Sequence, residues 1–132
     1  MYFMIKYLQE DFLMPLIELF QNFRDKYMRS ALDQMEFPEF PPDLEKRYQI
    51  IFSGIVQGVG FRYEAWLVAQ KLGLTGFAEN LPNGDVRMEV QGPENKIFHL
   101  IKCMESIRRI HIKSKTMDEM ALIEEAEFTP RY

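Results

Sequence analysis

Three glycines within seven residues constrain this chain more than any other feature of its sequence. Gly54, Gly58 and Gly60 follow an apolar run, and Arg62 closes the segment where a helical pattern begins. Glycine permits positive φ and lets backbone N–H groups come close to a ligand. N–H groups at the start of a helix form a concave site for an anion. Because an arginine adds a fork of donors suited to phosphate or carboxylate, the segment predicts an oxyanion-binding loop.

The hydrophobic periodicity on both sides of this loop alternates between that of strands and that of helices. Gly73 is typical of a helix end, and Asn83-Gly84 is typical of a hairpin turn. In chain order the predicted elements are strand 48–53, helix 61–72, strand 74–80, strand 85–91, helix 94–108, strand 110–115 and a candidate last strand at 122–128. This β-α-β-β-α-β order predicts an α+β, ferredoxin-like sandwich with two helices on one face of an antiparallel sheet.

The first third of the chain has a different pattern. Residues 2–36 carry apolar side chains at helical spacing, and Pro15 divides the stretch into a short helix and a longer one. Residues 37–42 contain three prolines and cannot continue a helix. We therefore predict an N-terminal helical extension with a Pro-rich linker at 1–45, followed by a domain at 46–132.

The apolar stripe of the predicted N-terminal helices needs a partner, because an exposed stripe of that size would be an interaction surface. Packing on the domain's own sheet and homodimer formation through these helices are equally compatible with the sequence. Helices that lie on membranes usually carry basic polar faces. Residues 1–46 instead hold five Lys/Arg against nine Asp/Glu, so a membrane surface is the least favoured partner.

Charge and composition exclude several classes of function. Residues 47–132 carry eleven Lys/Arg and eleven Asp/Glu, so this part has no broad basic field for nucleic acid. An RNA-binding sheet of this topology would also carry stacking aromatics on its third strand, and residues 86–90 have none. With a single cysteine, Cys103, no signal-peptide pattern and no apolar run of membrane-spanning length, we expect a cytoplasmic protein without a membrane span.

Several stretches in register resemble the acylphosphatase family. Residues 54–62 read Gly-Ile-Val-Gln-Gly-Val-Gly-Phe-Arg, which resembles the family signature G-x-V-Q-G-V-G-F-R. Ala69 and residues 72–76 are similar to the family's A-x-x-L-G-L-x-G. Residues 80–86 resemble the second signature, an asparagine followed by a D/N-G turn and a valine, and residues 128–132 resemble the F-x-I-R-Y ending. The resemblance covers about residues 47–132.

The resemblance implies hydrolysis of a small-molecule acyl phosphate to carboxylate and phosphate, without a metal or an organic cofactor. By the same resemblance Arg62 binds the phosphate and Asn80 orients the attacking water. The backbone N–H groups that would line the phosphate loop belong to Val56, Gln57, Gly58, Val59, Gly60 and Phe61. Because an acyl phosphate already has a good leaving group, positioning and electrostatic stabilisation are sufficient and no covalent nucleophile is required.

Three departures from the family pattern accompany these matches, and none of them changes Arg62 or Asn80. Glu79 precedes Asn80 and would oppose an anion if it faced the site, although alternation along the strand predicts that it points elsewhere. Residues 106–109 replace a Gly-Pro-rich stretch, and Pro130 predicts a frayed last strand. The alternative to an enzyme is a non-catalytic anion-binding or assembly module derived from an acylphosphatase.

Overall fold

The part of the chain that the structure describes folds into a five-stranded sheet and two helices. Apolar side chains alternate along the strands that form the core. The computed structural model describes residues 37–132, so the predicted N-terminal helices lie outside the described residues. The elements are β1 Glu45–Ile55, α1 Phe61–Leu72, β2 Thr75–Asn80, β3 Val86–Pro93, α2 Glu94–Ser106, β4 His111–Met120 and β5 Phe128–Arg131. Apart from the last strand, each predicted element is present with its ends shifted by a few residues. The ferredoxin-like α+β prediction is confirmed, but the sheet is mixed rather than wholly antiparallel, because β5 pairs parallel to β2.

The strand order, β4-β1-β3-β2-β5, determines which loops meet. β3 is antiparallel to both β1 and β2, so β1 and β2 run in the same direction. β5 is parallel to β2, and β4 is antiparallel to β1. The carboxyl ends of β1, β2 and β5 therefore lie along one edge of the sheet, the edge formed by the ends of strands and not by an outer strand. β4 begins at that same edge.

The hydrophobic core lies between one face of the sheet and the two helices. Ile50 of β1 and Met88 of β3 are register partners, and both are fully buried. Phe52 at the end of β1 packs against Phe61 at the start of α1, with ring centroids 4.9 Å apart. Burial of each such side chain contributes about 1.5–3 kcal/mol. This contact therefore fixes where the chain turns from β1 into α1.

The prediction of a last strand over 122–128 was wrong in its position. Residues 121–127 form no strand, and β5 begins only at Phe128. β4 and β5 lie at opposite edges of the sheet, so the connection between them must cross the sheet before it can pair. The predicted fraying at Pro130 is also not observed. Pro130 pairs in register with Ala78, and an edge strand tolerates a residue without an N–H group.

Residues 121–127, the crossing segment, pass over the face opposite the helices and cover a buried arginine. Arg47 of β1 is 2% exposed and forms ion pairs with Glu89 of β3, at 3.1 Å, and with Glu125, at 2.8 Å. Burial alone would lower the pKa of Arg47, but its hydrogen bonds to Glu125 and Glu89 outweigh burial and raise that pKa above its ordinary value. Gln91 adds two bonds to the backbone of Ile123. The crossing segment is thus held against the sheet by ion pairs and hydrogen bonds.

No helix within residues 37–132 is long and apolar enough to cross a membrane.

We predict that Arg47→Met lowers the free energy of unfolding by about 3–5 kcal/mol, because it leaves Glu89 and Glu125 as uncompensated, largely buried carboxylates. The matched control is Lys46→Met on the same strand. The Lys46 pair with Glu119 is largely solvent-exposed, so its loss should lower the free energy of unfolding far less than the loss of Arg47. Urea unfolding of both variants makes the comparison. Equal losses in the two variants would show that the crossing segment does not depend on Arg47.

Candidate active site

The glycine loop, residues 54–60, takes backbone conformations that require its glycines. Gly58 and Gly60 have φ of 72° and 79°, in the left-handed region. Gly54 has φ of 131° beside an irregularity in the β1–β4 pairing, and a Cβ there would lie 2.2 Å from the carbonyl oxygen of His111. Side chains at these positions would therefore strain the backbone or clash with it. The glycines let the loop turn sharply from β1 into α1.

The start of α1 leaves backbone donors available at the end of this loop. Gly60 is the residue before the helix, and within residues 37–132 no side chain caps it. The first N–H groups of a helix have no partner within the helix and carry the positive end of its dipole. Val56 and Phe61 are almost fully buried, so their side chains anchor the loop in the core. An anion can therefore be bound by the backbone of the loop and of the first turn of α1.

Gln57 ties the glycine loop to the turn between β2 and β3. Its side-chain amide donates to the carbonyl oxygen of Leu81 at 2.7 Å and to that of Asp85 at 2.8 Å. The Leu81 N–H in turn donates to the Asp85 carbonyl at 2.8 Å. Leu81 directly follows Asn80, the last residue of β2. One amide group thus connects the predicted phosphate loop to the segment that carries the predicted water-orienting residue.

Arg62, the second residue of α1, is held by the end of β5. Its Nη1 donates to the carbonyl oxygen of Arg131 at 2.6 Å, and its guanidinium carbon lies 4.3 Å from the centre of the Tyr132 ring. The carbonyl is neutral, so the positive charge of Arg62 is not cancelled by this bond. A guanidinium has five N–H donors, so Arg62 keeps donors for a further acceptor.

Glu79 and Asn80 lie on opposite faces of the sheet, as strand alternation predicts. Glu79 pairs with Arg87 and lies 3.8 Å from Nη1 of Arg131, on the face away from the helices. Asn80 is half-buried and belongs to the helix-side set with Ala78. The carboxylate of Glu79 is therefore partnered by two arginines on the other face, and it does not oppose an anion beside Asn80.

Sequence reasoning missed one pair of residues at this edge. Arg109, just before β4, contacts both the glycine loop and the buried carboxylate of Glu64 in α1. An antiparallel partner of β1 begins beside the end of β1, so residues just before that partner lie near the glycine loop. The local sequence pattern does not show which strand pairs with β1, and for that reason Arg109 was not identified from the sequence.

The arrangement combines backbone donors, a guanidinium and a side-chain amide at one edge of the sheet. Such a set can bind a tetrahedral oxyanion and orient a small molecule beside it. Within residues 37–132, no group of three or more His, Cys, Asp or Glu side chains is placed to hold a metal ion.

Comparison with known proteins decides the family. The acylphosphatase family model matches residues 48–130, which is more than half of the chain. The chain belongs to the acylphosphatase family. The glycine loop, Arg62 and Asn80 all fall inside the matched region, and residues 1–47 lie outside it.

Individual acylphosphatases agree with this assignment. The chain is 42% identical over 74 residues to an acylphosphatase of Vibrio parahaemolyticus, covering 55% of this chain and 82% of the relative. It is 54% identical over 55 residues to one from Clostridium beijerinckii, where the match covers 42% of this chain and 61% of the relative. The crystal structure of the Bacillus subtilis acylphosphatase superimposes with a TM-score of 0.62 at 30% identity, covering 66% of this chain and 99% of that one.

We predict that Gln57→Met, which keeps the side-chain length but removes both donors, lowers the free energy of unfolding by about 1–3 kcal/mol, because two side-chain hydrogen bonds are lost and the carbonyls of Leu81 and Asp85 keep only their backbone donors. Exchange of the Leu81 and Gly84 amides should also become faster, since both belong to the turn that Gln57 holds. The control is Gln70→Met at an exposed position of α1. Hydrogen exchange measured by NMR reports both effects. Unchanged exchange in Gln57→Met would mean that the turn keeps its shape without Gln57.

Proposed function

We propose that this protein hydrolyses the carboxyl–phosphate bond of small acyl phosphates to a carboxylate and inorganic phosphate. Family membership carries this proposal, together with the convergence of the glycine loop, Arg62 and Asn80 at the shared edge of the sheet. Its alternative is a module that binds the anion without turnover. No observation favours that alternative over the enzyme.

In the proposed mechanism, the loop N–H groups and Arg62 bind the phosphoryl oxygens. The charge of Arg62 and the dipole of α1 stabilise the negative charge that these oxygens carry in the transition state. Asn80 orients a water molecule for attack at phosphorus, while the carboxylate departs as the leaving group. The acyl phosphate is an activated substrate, so bringing water and phosphorus into line supplies much of the rate enhancement.

Gln57 supports the proposal of separate phosphate-binding and water-orienting groups, because its side chain connects the glycine loop to the turn after Asn80. The phosphate would be held by the glycine loop, and the water would be oriented from the end of β2. A misplacement of about 1 Å between two such groups can lower a rate roughly 100-fold. The two bonds of Gln57 to the β2–β3 turn therefore favour a fixed distance between phosphorus and water.

The wider cellular setting stays a prediction. We propose a cytoplasmic location, which the cysteine content supports, because the single Cys103 cannot form an internal disulfide and therefore fits a reducing compartment. The balanced charge of residues 47–132 supports a small-molecule substrate rather than nucleic acid. The division into 1–45 and 46–132 and the homodimer through N-terminal helices rest on residues outside the described part or at its margin, and both remain sequence-based proposals.

We predict that Arg62→Ala lowers phosphate release from a small acyl phosphate by roughly 1,000-fold or more, because it removes the charge that binds the phosphoryl oxygens. Arg108→Ala is the matched control, since Arg108 is an exposed arginine in the turn between α2 and β4. A circular dichroism spectrum and an unfolding curve establish that both variants are folded. Full activity in folded Arg62→Ala would end the assignment of Arg62.

We predict that Asn80→Ala lowers kcat roughly 100-fold and changes KM by less than about threefold, because a residue that orients water acts on turnover rather than on phosphate binding. Asn83→Ala in the neighbouring turn is the control. Asn83 bonds Asp85 within that turn, so its loss should leave both constants near their wild-type values. A larger effect on KM than on kcat would instead place Asn80 among the groups that bind the phosphoryl oxygens.

A further inference from the structure

Arg109 joins three elements of the structure at the glycine loop. It lies between α2 and β4, and its Nε donates to the carbonyl oxygen of Val59 at 2.7 Å. Its Nη2 donates to the carboxylate of Glu64, whose side chain is 8% exposed. One guanidinium thus binds both a loop carbonyl and a buried carboxylate in the first turns of α1.

The bond to Val59 determines the orientation of a peptide group inside the loop. In a trans peptide the C=O and the next N–H point in opposite directions, and the described residues contain no cis peptide. Because the Val59 carbonyl points toward Arg109, the N–H of Gly60 points away from it. Gly60, at φ of 79°, presents little steric barrier to a flip of this peptide, since glycine accepts either sign of φ. A flipped peptide would place a carbonyl oxygen where the N–H stands.

The bond to Glu64 compensates a negative charge close to the anion site. Glu64 lies two residues after Arg62 near the start of α1. A buried carboxylate at that helix end would repel an anion bound by the same helix end unless a cation neutralised it. Arg109 forms the ion pair with Glu64.

We propose that Arg109 is a positioning residue for the phosphate site. It holds the Val59–Gly60 peptide with its N–H directed to the bound phosphoryl group, and it neutralises Glu64. The inference rests on the proposed function, since the anion is the phosphoryl group of the substrate. Arg109 itself does not touch the reacting atoms and acts through the loop.

A purely structural role for Arg109 makes a different prediction. A bond that only fastens the start of β4 to α1 would affect unfolding and leave the affinity for phosphate unchanged. A positioning role affects the dissociation constant for phosphate in the folded protein, and it affects KM for the acyl phosphate by a similar factor. The kcat should change much less, because Asn80 and its water lie on a different element.

The test measures binding of inorganic phosphate to the full chain by NMR, following the amide resonance of Gly60. We expect Arg109→Gln to raise the Kd roughly 10-fold, the size expected for the loss of charge-assisted hydrogen bonds, and to raise KM comparably with less than threefold change in kcat. The phosphate-induced shift of the Gly60 amide should also be lost. Arg108→Gln, one residue earlier and exposed, should leave Kd, KM and the shift unchanged.

Two further variants keep the test informative if Arg109→Gln is poorly folded. Arg109→Lys retains a charge near Glu64, but a compact ammonium cannot reproduce the planar fork that reaches both acceptors, so Kd should still rise. Adding Glu64→Gln to Arg109→Gln should recover the part of the affinity lost to the uncompensated carboxylate. An unchanged Kd and Gly60 shift in folded Arg109→Lys and Arg109→Gln would overturn the inference alone. A wild-type chain that releases no phosphate from the acyl phosphate would overturn the proposed function and this inference with it, whereas turnover without detectable phosphate binding would overturn this inference alone.

Discussion

The antiparallel pairing of β3 with both β1 and β2 is the constraint on which the site depends. It makes β1 and β2 run in the same direction with one strand between them, so their carboxyl ends lie about 10 Å apart at one edge. The glycine loop leaves one of these ends and Asn80 closes the other. Gln57 bridges the gap between them, and the parallel β5 brings the Arg131 carbonyl to Arg62 at the same edge. The register of the sheet therefore determines the distance between the proposed anion-binding and water-orienting groups.

Charge around this edge is arranged in compensated pairs. Glu64 is paired with Arg109, and Glu79 is paired with Arg87 on the opposite face. Arg62 differs, because its side-chain hydrogen bond goes to a neutral carbonyl. Its positive charge therefore stays available to an anion, in a domain that carries equal numbers of basic and acidic side chains. Within residues 37–132 Arg62 forms no ion pair with a carboxylate, and a compact site with such a guanidinium suits a single phosphoryl group better than an extended polyanion.

Local patterns were sufficient to predict the local structure on which the proposed site depends. The glycine spacing before Arg62 requires a turn of backbone donors at a helix start, and strand alternation already separates Glu79 from Asn80. The remaining features depend on which strands are neighbours. Residues 122–127 were predicted to form part of the last strand, yet they cross the sheet because β4 and β5 occupy opposite edges. The contacts of Arg47 and Arg109 join residues far apart in the chain, which periodicity does not reveal.

The most direct test of the central claim is the fate of oxygen during turnover in ¹⁸O-labelled water. If the loop and Arg62 hold the phosphoryl group and Asn80 directs water at phosphorus, one labelled oxygen enters the inorganic phosphate and the carboxylate stays unlabelled. Mass spectrometry of both products from acetyl phosphate, with Arg62→Ala protein as the blank for spontaneous hydrolysis, measures this. Label in the carboxylate would place the attack at the carbonyl carbon and contradict the account. Phosphate release no faster than in the blank would contradict it as well.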